Sequence, residues 1–387
     1  MKLQKVRFEH FGGIISTEDP VGLFWVDRDF LKTRGYDGGQ VWSEPGPGYL
    51  SAPVELEIQV TGRCDLACSC CYMDSGGGRQ DTESSLIQST LEIASRMGIF
   101  HVAFSGGEPL MYPGLLCAAE AARESGLIPA TTTNGTLVTP TWARAAASLF
   151  ARVNVSADVK GGPRDDRADL FLTCRAVAIL RDAGVTCGVN FIVTNQTTGE
   201  LETVFRETAR AGADSILILR PKPDGRGRRC YESLRLTQEQ AAGLISRLVN
   251  LSGEWNLPFH LDCALAPLLL CSGVDSRLLD LFGAAGCIAG DLLLTVDGDG
   301  MVHPCSHVSL TLGHVSEFPD AWHGPLLQSL RARSASLEGR CAACDVSRLC
   351  GGGCLAVNEY YGLGMTQPDP DLRCKGEEPA VRLVDLP

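Results

Sequence analysis

The 387-residue sequence contains no run of about 18 apolar residues, so no membrane-spanning helix is expected. Its longest candidate, LAPLLLC at 265–271, is far too short. The N-terminal stretch MKLQKVRFEHFGG lacks the apolar core of a signal peptide. Positive charge is also short: 34 Lys and Arg against 46 Asp and Glu give a net charge of −12. That balance argues against a general binder of nucleic acid or of anionic membranes. What the chain has in excess is cysteine, 17 residues of it. An odd count without a secretion signal does not read as a disulfide scaffold. Clustered thiols in a reducing cytoplasm, the expected compartment, read instead as metal ligands. Length and an apolar fraction of 44% support one large domain plus a smaller appendage.

Residues 1–53 read as a small β-rich N-terminal element, with the aromatic pieces VRFEHF and GLFWVDRDF divided by turn signals. From residue 54 to 254 six β-rich runs alternate with helical stretches: VELEIQV, HVAFSGG, IPATTTNG, VNVSADV, TCGVNFIVT and DSILILRP. Parallel strands need long crossovers, so this alternation predicts an α/β fold with a parallel sheet and outer helices. Six units are too few for an eight-stranded barrel and predict a partial (β/α)6 barrel. Residues 255–284 bridge to a small cysteine-rich domain at 285–376, and 377–387 form a tail. Within that domain DLLLTVDGDGMVHPC reads as a hairpin about Asp297–Gly300. So small a domain cannot bury much apolar surface alone, and metal–thiolate bonds are expected to stabilise it.

Ten cysteines form two spaced arrays. Cys64, Cys68 and Cys71 follow the first strand of the alternation, at the carboxyl end where barrel and open-sheet enzymes place their chemistry. A cube of four irons normally takes four thiolates, so three leave one iron open. Cys70 allows a shifted set in which it replaces Cys71; a zinc knuckle, or a distant fourth ligand, is the other alternative. Ser105-Gly106-Gly107-Glu108-Pro109 ends the second strand, and its glycines permit close backbone approach to a ligand.

The C-x3-C-x2-C triplet, the following Tyr72 and the GGEP segment one strand later resemble the radical S-adenosylmethionine (SAM) superfamily. The resemblance implies that SAM chelates the open iron and is cleaved by one electron to a 5′-deoxyadenosyl radical. It implies cofactor contacts from Tyr72, Ser105, Gly106, Gly107, Glu108, Pro109, Asn134, Ser156, Arg167, Asn190 and Thr194. Asp158 and Asp262 are the acids to watch as proton acceptors.

The second array, Cys287, Cys305, Cys341, Cys344, Cys350, Cys354 and Cys374, resembles the seven-cysteine SPASM pattern of peptide-modifying members of that superfamily. A double zinc ribbon is its alternative. The resemblance implies two auxiliary [4Fe–4S] clusters, three clusters in all. Cys341, Cys344, Cys350 and Cys374 would hold one. Cys287, Cys305 and Cys354 would hold the other, with Cys271 preferred as fourth ligand over Cys263 or an open iron. The remaining cysteines, Cys70, Cys117, Cys174, Cys187 and Cys230, read as small buried hydrophobes, with a role near substrate the alternative for Cys187, which begins an inward-facing strand. The basic run Arg220, Lys222, Arg226, Arg228 and Arg229 reads as a solvated loop at the barrel mouth, or as a grip on acidic substrate groups.

Together these features imply a radical SAM maturase that modifies a small ribosomally made precursor peptide by cross-linking or other C–H functionalisation. An external donor of the flavodoxin or ferredoxin type would reduce it. The N-terminal element is too short for a complete winged-helix leader-binding domain, so a reduced element, a separate leader-binding protein or no leader recognition is expected. Formylglycine maturation of sulfatases and haem or tetrapyrrole modification share the motifs. A non-catalytic redox or metal protein is the alternative of a different class.

Overall fold

A computed structural model describes residues 3–18, 21–76, 78–159, 162–164, 169–270, 277, 279 and 285–371. The chain begins with an antiparallel sheet of β1 (Leu3–Glu9), β2 (Gly12–Glu18) and β3 (Val21–Asp27). Asp27 then caps the short helix Arg28–Lys32 by accepting from Phe30 N.

The main sheet starts at β4 (Glu55–Thr61) and continues through β5 (His101–Gly106), β6 (Ile128–Thr133), β7 (Arg152–Ala157), β8 (Cys187–Ile192) and β9 (Ser215–Leu219). These six strands pair in parallel in chain order, as the alternation predicts. Helices Ser84–Arg96, Leu115–Glu124, Pro140–Ala146, Leu170–Asp182, Leu201–Ala211 and Gln238–Trp255 make the crossovers. The last starts at a capping box of Thr237 and Gln240.

The sheet is wider than six strands. β10 (Phe259–Leu261) adds in parallel to β9. On the other side β11 (Leu293–Val296), from the cysteine-rich region, adds in parallel to β4 and turns back into β12 (Val302–His303). The order β10-β9-β8-β7-β6-β5-β4-β11-β12 has two free edges, so the barrel is open. The predicted hairpin turn is there: the Asp297 carboxylate accepts from Asp299 N and Met301 N, and Gly300 takes φ +81°.

Period-two alternation sorts the side chains of each strand. On β4, Leu56, Ile58 and Val60 are buried under the helices, each stabilising the fold by about 1.5–3 kcal/mol. Glu55, Glu57 and Gln59 point the other way, into the concave face. The same split leaves Ala103 and Ser105, Ala130 and Thr132, and Asn154 and Ser156 on that face. Helix-side positions are apolar and concave-side positions largely polar, which gives the concave face a polar lining rather than an apolar barrel core.

The N-terminal sheet is tied to this core. Arg7, buried, pairs with Glu9 and donates to Pro53 O, while Glu9 accepts from Ser51 N. At the far end of the chain Trp322 Nε1 donates to Leu50 O, and the Arg331 guanidinium stacks between Tyr49 and Trp322.

Candidate active site and thiol arrays

The loop after β4 carries the first thiols and is held from both flanks. Thr61 Oγ1 donates to Asp81 at 2.6 Å, and Arg63 pairs with the same carboxylate at 3.0 Å. Within the loop Cys64 Sγ accepts from Leu66 N, and Cys71 N donates to Cys68 O. Asp65 accepts from Asn134 Nδ2 at 2.8 Å and from Thr136 Oγ1 at 2.6 Å, which fastens the loop to the end of β6. On the opposite flank Arg226 Nε donates to Cys68 O at 2.9 Å, and its Nη1 reaches Asp74 and Ser75 O. Gly225 beside it has φ +52°, and a Cβ there would lie 2.2 Å from Tyr72 O.

The GGEP segment folds onto this loop. Gly107 N donates to Thr61 O and Glu108 N to Arg63 O, both at 2.8 Å. A Cβ on Gly106 would stand 2.3 Å from Thr61 O, and one on Gly107 2.1 Å from Arg63 O. The close approach that requires glycine is therefore to the thiol loop's own backbone. Pro109 opens a 3₁₀ turn, Pro109–Met111. Glu108 is fully buried; its carboxylate accepts from Leu110 N, Thr133 Oγ1 and Asn134 N at 2.7–3.0 Å. Burial still pushes its pKa up to about 7.

Other residues expected at the cofactor have structural partners. Asn134 is committed to Asp65 and to Thr136 through both ends of its amide. Thr194 is fully buried in a turn, where its hydroxyl accepts from Gln196 N and Thr197 N. Tyr72 sets its ring edge-on to His307 at 4.4 Å, across to the second array. Ser156 and Asn190 lie opposite each other on β7 and β8 on the concave face. Asn190 Oδ1 is buried without a partner, and its Nδ2 reaches Thr132 at 3.5 Å. Arg167 lies outside the described residues.

The two acids differ from solvated carboxylates. Asp158 is 4% exposed, and its oxygens accept from Val159 N and Arg164 N, shaping the loop after β7. Asp262 follows β10 and accepts from Lys222 Nζ, Ala264 N and Arg220 N. Burial opposes its ionisation, but the Lys222 ammonium outweighs that and holds its carboxyl below the usual range.

Of the basic run only Arg228 and Arg229 are exposed as a solvated stretch would be; Arg220, Lys222 and Arg226 are taken up by partners within the protein. Arg220, 4% exposed, donates to Asp369 at 2.6 Å, to Asp371 at 3.0 Å and to the Tyr231 hydroxyl at 2.8 Å. Lys222 pairs with Asp262 and Arg226 braces the thiol loop. Apart from Tyr231, sequence reading missed these partners because they lie 40 to 158 residues away in either direction along the chain; the DPD of 369–371 was the only sign of them.

In the second array Cys287, Cys305 and Cys354 are neighbours, and the thiols of Cys263 and Cys287 lie within hydrogen-bonding reach of each other. Cys341, Cys344 and Cys350 form a second group. Cys271 and Cys374 lie outside the described residues. Cys187 is the buried small hydrophobe expected: it packs with Val189 and Phe191 on the helix side of β8, which sets aside the alternative of a role near substrate. Cys117 is exposed, and Cys70, Cys174 and Cys230 are half-buried. Among the described residues no three His, Cys, Asp or Glu side chains converge as tightly as a single ion requires. A cube presents its irons at separate corners, so its thiolates stand further apart than those around one ion.

The donor chemistry fits iron–sulfur clusters: soft thiols on a braced loop above a polar concave face that holds an unpaired buried Asn190 oxygen. Residues 58–208 match the Radical SAM superfamily, and residues 287–345 match SPASM, an iron–sulfur cluster-binding domain. The chain belongs to the radical SAM superfamily, among members with a C-terminal SPASM domain, and is an enzyme of SAM and iron–sulfur chemistry. Mycofactocin maturase MftC of Mycolicibacterium smegmatis is 30% identical over 341 residues, covering 83% of each chain. Pre-heme d1 synthase of Dinoroseobacter shibae is 29% identical over 322 residues, 76% of this chain and 79% of that one. In fold the chain is similar to Streptococcus suis SuiB bound to precursor peptide SuiA, with a TM-score of 0.72 and 18% identity over 94% of this chain and 97% of that one. No described helix is long and apolar enough to cross a membrane.

Proposed function

We propose that this enzyme is a cytoplasmic maturase that installs a cross-link or another C–H-derived bond in a small ribosomally made peptide. The observation that carries the reading is the similarity to mycofactocin maturase along 83% of both chains. In this reading Cys64, Cys68 and Cys71 hold the SAM-binding [4Fe–4S] cluster and the second array holds two more. When bound, SAM and the reduced cluster supply the hydrogen-abstracting 5′-deoxyadenosyl radical, and the protein supplies orientation.

The chain's own residues divide that labour. Arg226 and Asp65 fix the thiol loop, while Gly107 and Glu108 hold the β5 and β6 ends against it. Ser156 and Asn190 offer polar groups from the concave face, Arg167 being a helper in the same task. Asp158, whose carboxyl burial pushes up, and Asp262, kept ionised by Lys222, are the candidate proton acceptors, each also shaping its own loop. A flavodoxin- or ferredoxin-type donor provides the electron, and leader recognition falls to the N-terminal sheet or to a separate leader-binding protein.

Anaerobic reconstitution with iron and sulfide, then reduction with SAM and a candidate precursor peptide, tests this. Formation of 5′-deoxyadenosine together with a mass change in the peptide is expected. The similarity to pre-heme d1 synthase supplies the competing substrate class. Turnover of a tetrapyrrole with the peptide left unchanged would replace the peptide reading, and absence of 5′-deoxyadenosine in every case would remove the catalytic assignment.

A further inference from the structure

The sequence leaves the fourth thiolate of the Cys287, Cys305 and Cys354 set open between Cys271, Cys263 and none. We propose that Cys263 completes this set and that Cys271 is not a ligand. The proposal rests on the reading of those three thiols as ligands of one auxiliary cluster.

The path of the chain after β10 delivers Cys263 to that place. Leu261 pairs with Ile218 on β9, and Asp262 N extends the pairing by donating to Ile218 O at 2.9 Å. Asp262 then turns the chain. Its Oδ1 accepts from Ala264 N at 3.1 Å, its backbone oxygen accepts from Leu265 N at 2.8 Å, and its Oδ2 is held by Lys222. Cys263 is therefore the central residue of a turn pinned on both sides, and its thiol meets the Cys287 sulfur.

The neighbouring residues converge on the same set. Ala264 is fully buried in one apolar cluster with Cys354, Ala356 and Val357. Arg220 Nη1 bridges the Ala264 carbonyl, at 3.5 Å, and the Asp369 carboxylate, at 2.6 Å. Asp369 in turn accepts from Cys354 N at 3.2 Å. Two side chains thus join the backbone beside Cys263 to the backbone of an array cysteine. The buried Lys222 ammonium lies within electrostatic reach of Cys263, Cys305 and Cys354, a positive charge where thiolates would gather.

Cys271 itself lies outside the described residues; the helix Ala266–Leu270 leads toward it, and Leu270 packs with Leu279, Val346 and Cys350, the last a cysteine of the other thiol group. With Cys263 in place the four thiolates of a cube are complete without Cys271.

The test uses the full chain with Cys64, Cys68 and Cys71 all changed to Ala, reconstituted anaerobically. It reads iron and sulfide per chain together with Mössbauer and reduced-state EPR spectra. This background is expected to hold about eight irons. Adding Cys271→Ala should change neither content nor spectra. Adding Cys263→Ala should remove about four irons or replace one of the two cluster signals. Cys263→Ser, which keeps the volume and an oxygen donor, should retain about eight irons and shift one signal only. Loss or change with Cys271→Ala while both Cys263 variants keep the background spectra would overturn the assignment, and so would spectra that none of the three variants alters. A background that binds no iron would instead sink the auxiliary-cluster reading on which the proposal stands.

Discussion

Glu108 shows how a motif residue can act through its surroundings. Its carboxylate accepts three hydrogen bonds, yet burial leaves its pKa near 7 rather than 4.5. Below about pH 4.5 both folded and unfolded chains hold the proton. Between about 4.5 and 7 the unfolded chain gives it up while the folded one retains it, so stability falls as pH rises through that window. The fall amounts to on the order of 3 kcal/mol at most. Glutamine does not titrate, so Glu108→Gln should abolish this part of the pH dependence, at a cost of about 1–3 kcal/mol at about pH 5 because its amide NH2 cannot accept from the donors that face both carboxyl oxygens. Denaturant unfolding of both proteins at about pH 5 and about pH 7.5 checks it; Glu55, also raised to about 7, is common to both and cancels in the comparison. The sequence marked Glu108, Asn134 and Thr194 as site residues. It did not reveal that Glu108 and Asn134 satisfy one another or that Thr194 builds a turn, because hydrogen-bond partners between strand ends are set by sheet register.

At the scale of elements, the six strands and their helices were legible because each apolar run ends in a turn signal and is followed by a helical stretch. Which face of a strand looks inward was less legible. Cys187, Val189 and Phe191 alternate with Gly188, Asn190 and Ile192, and only the pairing of Ser156 with Asn190 shows which set faces the concavity. β11 was read as part of a separate hairpin, yet it takes its register from β4, with Thr295 opposite Glu57. The segment after β9 is the clearest case. Its arginines looked solvated, but Arg226 ties Cys68, Asp74 and Ser75 together. Arg226→Ala should remove bonds of about 1.5–3 kcal/mol that order the loop. The expected outcome is faster amide exchange across 64–76 and lower occupancy of the SAM-binding cluster, with auxiliary iron unchanged. Lysine should not restore it, since one ammonium cannot reproduce the forked geometry. Occupancy and exchange at the level of the unchanged protein would show that the loop orders without the arginine.

For the whole molecule, the junction between the barrel and the cysteine-rich region depends on charge as well as on the shared sheet. Arg220 at the end of β9 meets Asp369 and Asp371, and Tyr231, Arg235 and Tyr361 surround the same carboxylates. Asp369 accepts from Cys354 N, so the ion group positions the backbone of an array cysteine. A buried pair adds little beyond an apolar one of the same shape, but removing one partner strands the other charge. Arg220→Met should therefore cost about 3–5 kcal/mol, because two carboxylates with 6% exposure or less lose their main cation. Arg220→Met combined with Asp369→Asn should cost less than the sum of the two changes, which a double-mutant cycle by denaturant unfolding reads directly. Iron analysis adds a readout that general instability does not mimic. The Arg220 variant should lose auxiliary iron first and keep the SAM-binding cluster, since Arg63, Asp65, Asp81 and Arg226 hold the first loop independently. Equal loss from all clusters, or additive changes in the cycle, would mean that the two regions are joined by the sheet alone.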